Sequence, residues 1–192
     1  MMKQPWDTHI KSTVQKHLTA ARFAPRLPYN DLVLDSFIQQ NEHHILFERK
    51  LKIVQMRTGF IWQETMGNVI GVENLGSGDE SGLDLLGTEV FRHGKFCMEL
   101  KNSVRTDNYS SKRSNIRKLV TYAQAHPDTL PVYGFINDYT REGTKTMKID
   151  SESGISIMYI SGKQLLEWVF GDDYELVTQL ITQHVNAQLE QL

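Results

Sequence analysis

Apolar positions recur every three to four residues near both ends of the chain, and between them lie short apolar runs bounded by glycine; that alternation predicts helices around a sheet. Near the N-terminus, Ile10, Val14, Leu18 and Ala21 fall on one face of a helix predicted over residues 8–24, with Thr8 as its cap and Pro25 and Pro28 ending it. A second helical pattern starts near Asp31 and breaks over the polar stretch from Gln39 to His44. It resumes with Ile45, Leu46, Leu51, Ile53 and Val54 and runs towards Gly59. A further helix, from about Phe60 to Val69, carries Ile61, Trp62, Glu64 and Met66.

After Gly71 the runs become too short for helices, and Gly76, Gly78, Gly82, Gly87 and Gly94 punctuate them. Strands are predicted near residues 69–74, 83–91 and 95–102, the last two joined as a hairpin by Arg92-His93-Gly94-Lys95. A polar loop spans Ser103 to Ser111. Ile116, Leu119, Val120 and Ala123 then mark a helix over residues 113–126 that stops at His126-Pro127. Further strands are expected at residues 131–137 and 155–160, a helix at residues 162–170, and, after Asp172-Asp173 as its cap, a last helix with Leu176, Val177, Leu180, Ile181, His184, Val185 and Leu189 on one face. The order predicts an α/β fold: a central mixed β-sheet flanked by α-helices, preceded by a helical N-terminal segment.

The length, 192 residues, suits one domain. It divides into a helical segment (residues 1–58), a core (60–140) and a C-terminal strand with helices (141–192). No apolar run approaches the roughly 20 residues of a spanning helix, and no apolar stretch follows the N-terminal basic residue, so neither membrane nor export is expected and the cytoplasm is the predicted location. Cys97, the single cysteine, cannot form an internal disulfide and reads as an inert strand residue. The net charge of −2 is uninformative, but its distribution is not. Lys101, Arg105, Lys112, Arg113, Arg117 and Lys118 fall within one stretch whose only acid is Asp107.

Chemistry concentrates in Ser81-Gly-Leu-Asp84-Leu-Leu-Gly87 and Phe96-Cys-Met-Glu99-Leu-Lys101-Asn-Ser103. Asp84 and Glu99 are carboxylates in apolar strands, where an uncompensated charge carries a large desolvation cost. Side-chain alternation places Glu99 and Lys101 on one face and Leu100 on the other, and a hairpin lets Asp84 reach the Glu99 face. Two carboxylates and the Leu100 main-chain oxygen suit a hard cation such as Mg²⁺, and a lysine beside it can orient the attacking water.

Asp84 followed by Glu99-Leu100-Lys101 resembles the PD-(D/E)XK nucleases, with Leu83 where the name-giving Pro would stand. The surrounding Glu99-Leu-Lys-Asn-Ser103, Thr106-Asp-Asn108, Ser110-Ser111, Lys112-Arg113-Ser114-Asn115 and Pro131-Val-Tyr-Gly-Phe-Ile-Asn-Asp138 are similar to segments of type II restriction endonucleases. The resemblance covers about residues 60–140. It implies a restriction-endonuclease-like core and a Mg²⁺-dependent, sequence-specific cut in double-stranded DNA, with one or two ions per site and 5′-phosphate and 3′-hydroxyl products. It also implies a supporting carboxylate on a preceding helix, for which Glu64 is the best match and Glu48 and Glu73 are runners-up. DNA contacts are expected from Asn102, Ser103, Arg105, Asn108, Lys112, Arg113, Asn115, Arg117 and Lys118. A homodimer is expected, since a two-fold protein matches a palindromic site. The competing readings are a structure-specific repair or recombination nuclease and a silent nuclease-fold DNA-binding module.

Other features read as structure. Gly76-Ser-Gly-Asp-Glu-Ser-Gly82 lacks the Lys-Ser/Thr of a phosphate-binding loop, so no nucleotide cofactor is expected, although Asp79 or Glu80 lies close enough in sequence to touch water at the metal. His43 and His44 diverge on a helix, and His184 reads as a satisfied residue of an apolar face. Trp62, Trp168 and Phe170 read as packing residues.

Overall fold

The computed structural model describes residues 1–19, 53–76, 78–103, 108–138, 140 and 142–190. The chain forms helix α1 (Trp6–His17), a helix α2 over the described residues 53–67, strands β1 (Val72–Asn74), β2 (Leu85–Gly87) and β3 (Phe96–Ser103), helix α3 (Tyr109–Ala125), strands β4 (Leu130–Asn137), β5 (Lys145–Ile149) and β6 (Ser156–Ser161), and helices α4 (Gly162–Phe170) and α5 (Tyr174–Leu189). The strands make one six-stranded mixed sheet in the order β1-β2-β3-β4-β6-β5. β2 runs antiparallel to both β1 and β3, β3 pairs with β4 in parallel through the α3 crossover, β4 pairs with β6 in parallel, and β5 closes the edge antiparallel to β6.

Alternation along the central strands sorts their side chains into two cores. Phe96, Met98, Val132, Ile136, Met158 and Ile160 face one way, into a large cluster with Trp6, Ile10 and Val14 of α1, Ile61, Trp62 and Met66 of α2, and the apolar faces of α4 and α5. Cys97, Tyr133, Phe135 and Ile157 face the other way and pack with Leu83 beneath Leu119 and Val120 of α3. Among the described residues no helix is long and apolar enough to cross a membrane.

Several boundaries differ from the sequence reading, for identifiable reasons. α1 starts at Trp6, with Pro5 rather than Thr8 at its cap position, and ends at Leu18; the predicted continuation beyond residue 19 and the helix from Asp31, with His43 and His44, lie outside the described residues. α2 passes through Gly59 without a break, so one helix stands where two were expected. The strand predicted over 83–91 is cut to Leu85–Gly87, and the joining segment is an eight-residue connection rather than a short hairpin turn. Its cause is Phe91, which turns inward against Phe96 and Trp168 at ring-centroid distances of 5.0 and 5.2 Å. Gly87 allows that approach, because a Cβ there would lie 2.0 Å from the Phe96 ring. β5 was not foreseen: all five of its residues are exposed, so it lacks the apolar alternation of a half-buried strand. Asp173 does not cap α5 with its side chain; it accepts a hydrogen bond from Trp6 Nε1 at 3.0 Å and ties α1 to the C-terminal helices.

Candidate active site

The chemistry gathers where β2 stops pairing with β3. The last Cα partners are Leu85 and Met98, and the ladder gains one more rung when Asp84 N–H donates to the Met98 carbonyl at 3.0 Å. The Asp84 carboxylate then takes over the role of the missing strand, as Leu100 N–H donates to its Oδ2 at 2.7 Å. Backbone N–H and C=O of one residue point to the same side of a strand, so the Leu100 carbonyl faces this same opening. Gln63 of α2 donates to the Asp84 carbonyl at 3.2 Å and to Asn74 Oδ1 at 3.0 Å, which fixes the bend from behind.

Glu99 and Lys101 share the face of β3 that looks toward α3, while Leu100 packs against the large core as alternation requires. Glu99 is only 3% exposed. Lys101 Nζ donates to its Oε1 at 2.6 Å. Its Oε2 is buried and accepts no hydrogen bond from the described residues, with Lys118 Nζ of α3 standing 3.6 Å away. The Asp84 carboxyl is raised from the usual 3.8 to about 6, mainly by burial and then by the negative charge of Glu99; the Leu100 N–H, Lys101 and Lys118 pull it down. Asp84, Glu99, Lys101 and Lys118 therefore act on one another as a single electrostatic cluster.

This cluster fits a divalent cation. It offers two carboxylates, one carrying a buried oxygen without a hydrogen bond and the other an ionisation made costly by burial, together with a carbonyl directed at the same opening. Among the described residues no group of three or more His, Cys, Asp and Glu side chains comes together, so a cation here would complete its shell with water and substrate oxygens. Asp84 also lines a cleft of about 760 Å³ with Gln63, Leu100, Lys101, Asn102, Ser103 and Asn137. A groove of about 920 Å³ between β4, α4 and α5 shares Ile136 and Asn137 with that cleft.

The expected supporting carboxylates are not brought to the cluster. Glu64, one residue and about 100° round α2 from Gln63, pairs with Lys16 and with His17 of α1, the latter at 3.1 Å. Glu73 is exposed on β1 opposite Leu86, and Glu48 lies outside the described residues. Gln63 is the α2 side chain that reaches Asp84, a position sequence reasoning passed over because it sought an acid. Asp79 takes hydrogen bonds from Ser81 and shapes the glycine-rich turn, and Glu80 is exposed.

The basic run after Lys101 is divided by the helix that carries it. Lys118 faces Gly82 and Glu99, whereas Arg113 faces the β5–β6 turn and pairs with Glu152 at 3.0 Å, and Arg117 lines the cleft beside it. Lys112 lies 5.7 Å from the centre of the Tyr159 ring. Asn115, expected at the DNA, is instead buried and donates to Tyr133 Oη at 3.2 Å, so its side chain is engaged in packing. Asn108 caps α3 by accepting from Ser111 N–H at 2.9 Å. Asn102 is held by the Gln55 carbonyl and by Asn137, Ser103 ends β3 at the mouth of the cleft, and Arg105 lies outside the described residues.

Elsewhere, burial pushes the Cys97 thiol up to about 12, which suits an inert residue. His184 is held by Asp7 at 2.9 Å, and Trp62, Trp168 and Phe170 are core residues. No family model matches this chain, and no curated protein matches it.

Proposed function

We propose that the protein is a Mg²⁺-dependent endonuclease of double-stranded DNA, built on a restriction-endonuclease-like core and cutting in the manner of a type II enzyme. One observation carries this reading most: a buried glutamate with one oxygen on a lysine and the other without a hydrogen bond among the described residues, beside an aspartate whose carboxyl is raised to about 6, at the point where two strands part. A purely structural site would gain little from such groups, because burying ionic side chains is costly even when they are paired.

Asp84, Glu99 and the Leu100 carbonyl would hold the cation. Bound there, it supplies positive charge at the phosphodiester and favours loss of a proton from the attacking water. Lys101 orients the nucleophile from the Glu99 face and offsets the charge that develops on the phosphate. In-line attack of water on phosphorus, with the P–O3′ bond breaking and the 3′ oxygen leaving and taking up a proton, would give 5′-phosphate and 3′-hydroxyl ends. Lys112, Arg113 and Arg117 contribute phosphate neutralisation, which positions the duplex without reading it. A homodimer would present two such sites to the two strands of a palindrome.

The test is incubation of purified protein with long duplex DNA of known sequence, with Mg²⁺ or with EDTA. Discrete bands that vanish with EDTA are expected. Metal-dependent cutting only at branches or flaps would shift the assignment to a structure-specific nuclease, and intact DNA across unmodified linear and branched substrates would leave a silent binding module.

A further inference from the structure

Lys118 belongs to a different element from the Glu-x-Lys strand, yet it is built into the same site. Its Nζ donates to the Gly82 carbonyl at 3.0 Å and stands 3.6 Å from Glu99 Oε2, which accepts no hydrogen bond from the described residues. Gly82 makes room for it: its φ is +65°, and a Cβ there would lie 3.3 Å from Lys118 Cε. The side chain thus runs along the turn that delivers Asp84, and its charge acts on Asp84 as well as on Glu99. Arg113 and Arg117, four residues apart on α3, share another flank of the helix, so Lys118 is not an interchangeable member of the basic run.

We infer that Lys118 is a resident counter-ion of Glu99 that competes with a divalent cation for that carboxylate. The inference rests on reading Asp84 and Glu99 as a cation site. With Lys101 on Oε1 and Lys118 facing Oε2, the carboxylate is compensated by two ammonium groups from two elements before any cation arrives. A divalent ion taking Oε2 must displace Lys118 or sit against its charge, and either route weakens binding. A phosphate arriving with the substrate gives the released ammonium a new partner, so loading of the cation and seating of DNA favour each other. Lys118 is a positioning residue here: it acts through Glu99.

The experiment measures Mn²⁺ binding to the full chain without DNA, from the electron paramagnetic resonance of free Mn²⁺. It compares the wild type with Lys118→Met, Lys118→Arg and, as a control for charge at large, Lys11→Met on the exposed side of α1. Lys118→Met is expected to bind about tenfold more tightly in low-salt buffer, since a single and a double charge about 5 Å apart repel by about that factor's 1.4 kcal/mol at the dielectric constant of water, less as added salt screens them. Lys118→Arg should restore wild-type affinity, and Lys11→Met should leave it unchanged. Equal or weaker binding by Lys118→Met, or no binding by any variant at millimolar Mn²⁺, overturns the inference. If Lys118→Met does not fold, Lys118→Gln takes its place under the same criterion. Cleavage by the wild type is assayed in parallel: tighter binding by Lys118→Met beside an inert wild type would keep the counter-ion and remove the nuclease.

Discussion

Asp84→Asn should make the protein more stable at neutral pH while destroying its activity. The Asp84 carboxyl titrates at about 6 in the folded chain against about 3.8 for an ordinary aspartate, so its ionised form is less favourable folded than unfolded. A displacement of about two units corresponds to roughly 3 kcal/mol at 1.36 kcal/mol per unit. The sign follows from proton counting: between about pH 4 and pH 6 the folded state holds more protons than the unfolded state, so stability falls as pH rises through that window and then levels off. Asparagine mimics the neutral acid and can accept the Leu100 N–H, and the roughly 3 kcal/mol is already net of the charge-assisted part of that bond; imperfect mimicry by the amide group brings the expected gain to about 1–3 kcal/mol at pH 8. In a chain of this size that is a rise of about 3–10 °C in Tm. Urea unfolding in EDTA at pH 4, 6 and 8 measures it: the two proteins should coincide at pH 4 and separate by pH 8. Added Mg²⁺ should then stabilise the wild type alone, since binding to the folded state adds stability that grows with the logarithm of 1 + [Mg²⁺]/Kd. An asparagine variant less stable than wild type at pH 8, or a difference independent of pH, would refute the account of Asp84 as a carboxylate awaiting a cation.

The remaining expectations concern other parts of the site. Lys101→Ala should lower the cleavage rate by about 10²–10⁴ while a gel-shift assay in Ca²⁺ still detects DNA binding; full activity would remove Lys101 from its role. Glu64→Gln should cost no more than about 1 kcal/mol in urea unfolding, through weakening of the contacts to Lys16 and His17, and should leave cleavage close to wild type. Asn115→Leu should destabilise by about 1–3 kcal/mol by leaving the Tyr133 hydroxyl without this partner, with DNA affinity unchanged. Arg113→Ala and Arg117→Ala should each reduce the slope of log affinity against log salt by about one, read by fluorescence anisotropy at several salt concentrations.

Much of this was legible from residue patterns because the signals were dense and local. The β3 alternation sets Phe96, Met98 and Leu100 against Cys97, Glu99 and Lys101, and the structure puts the two sets on opposite faces, the first against the larger core and Cys97 in the smaller one. What escaped was whatever depended on a contact made elsewhere. Phe91 looks like a strand residue until Trp168, seventy-seven positions on, supplies the ring that draws it out of the ladder. β5 is held by hydrogen bonds to β6 and has no buried side chain to announce it. Glu64 and Gln63 are neighbours in sequence, and only the rotation of α2 against α1 and β2 decides which of them meets Asp84. Asn115 and Lys118 sat in one basic, polar run, yet a three-residue step on α3 separates a buried packing group from a lysine that faces Glu99.

The parting of β2 and β3 explains why the costly groups sit where they do. Inside a continuous ladder, Asp84 would have had neighbours on both sides and no opening for a substrate, and Leu100 would have spent its N–H and C=O on a strand partner. By ending the strand at Leu85 and bonding Leu100 with a side chain, the fold exposes one edge of a rigid central strand without leaving its N–H unsatisfied. The price is a raised Asp84 carboxyl and a half-satisfied Glu99, and two lysines from separate elements limit it. A site tuned only for stability would replace these four ionic groups with apolar ones of similar volume, a change that is often neutral or stabilising for buried ion pairs. Their convergence on a single strand end, with a cleft of about 760 Å³ beside it, is the arrangement expected when a cation and a phosphate complete the balance of charge.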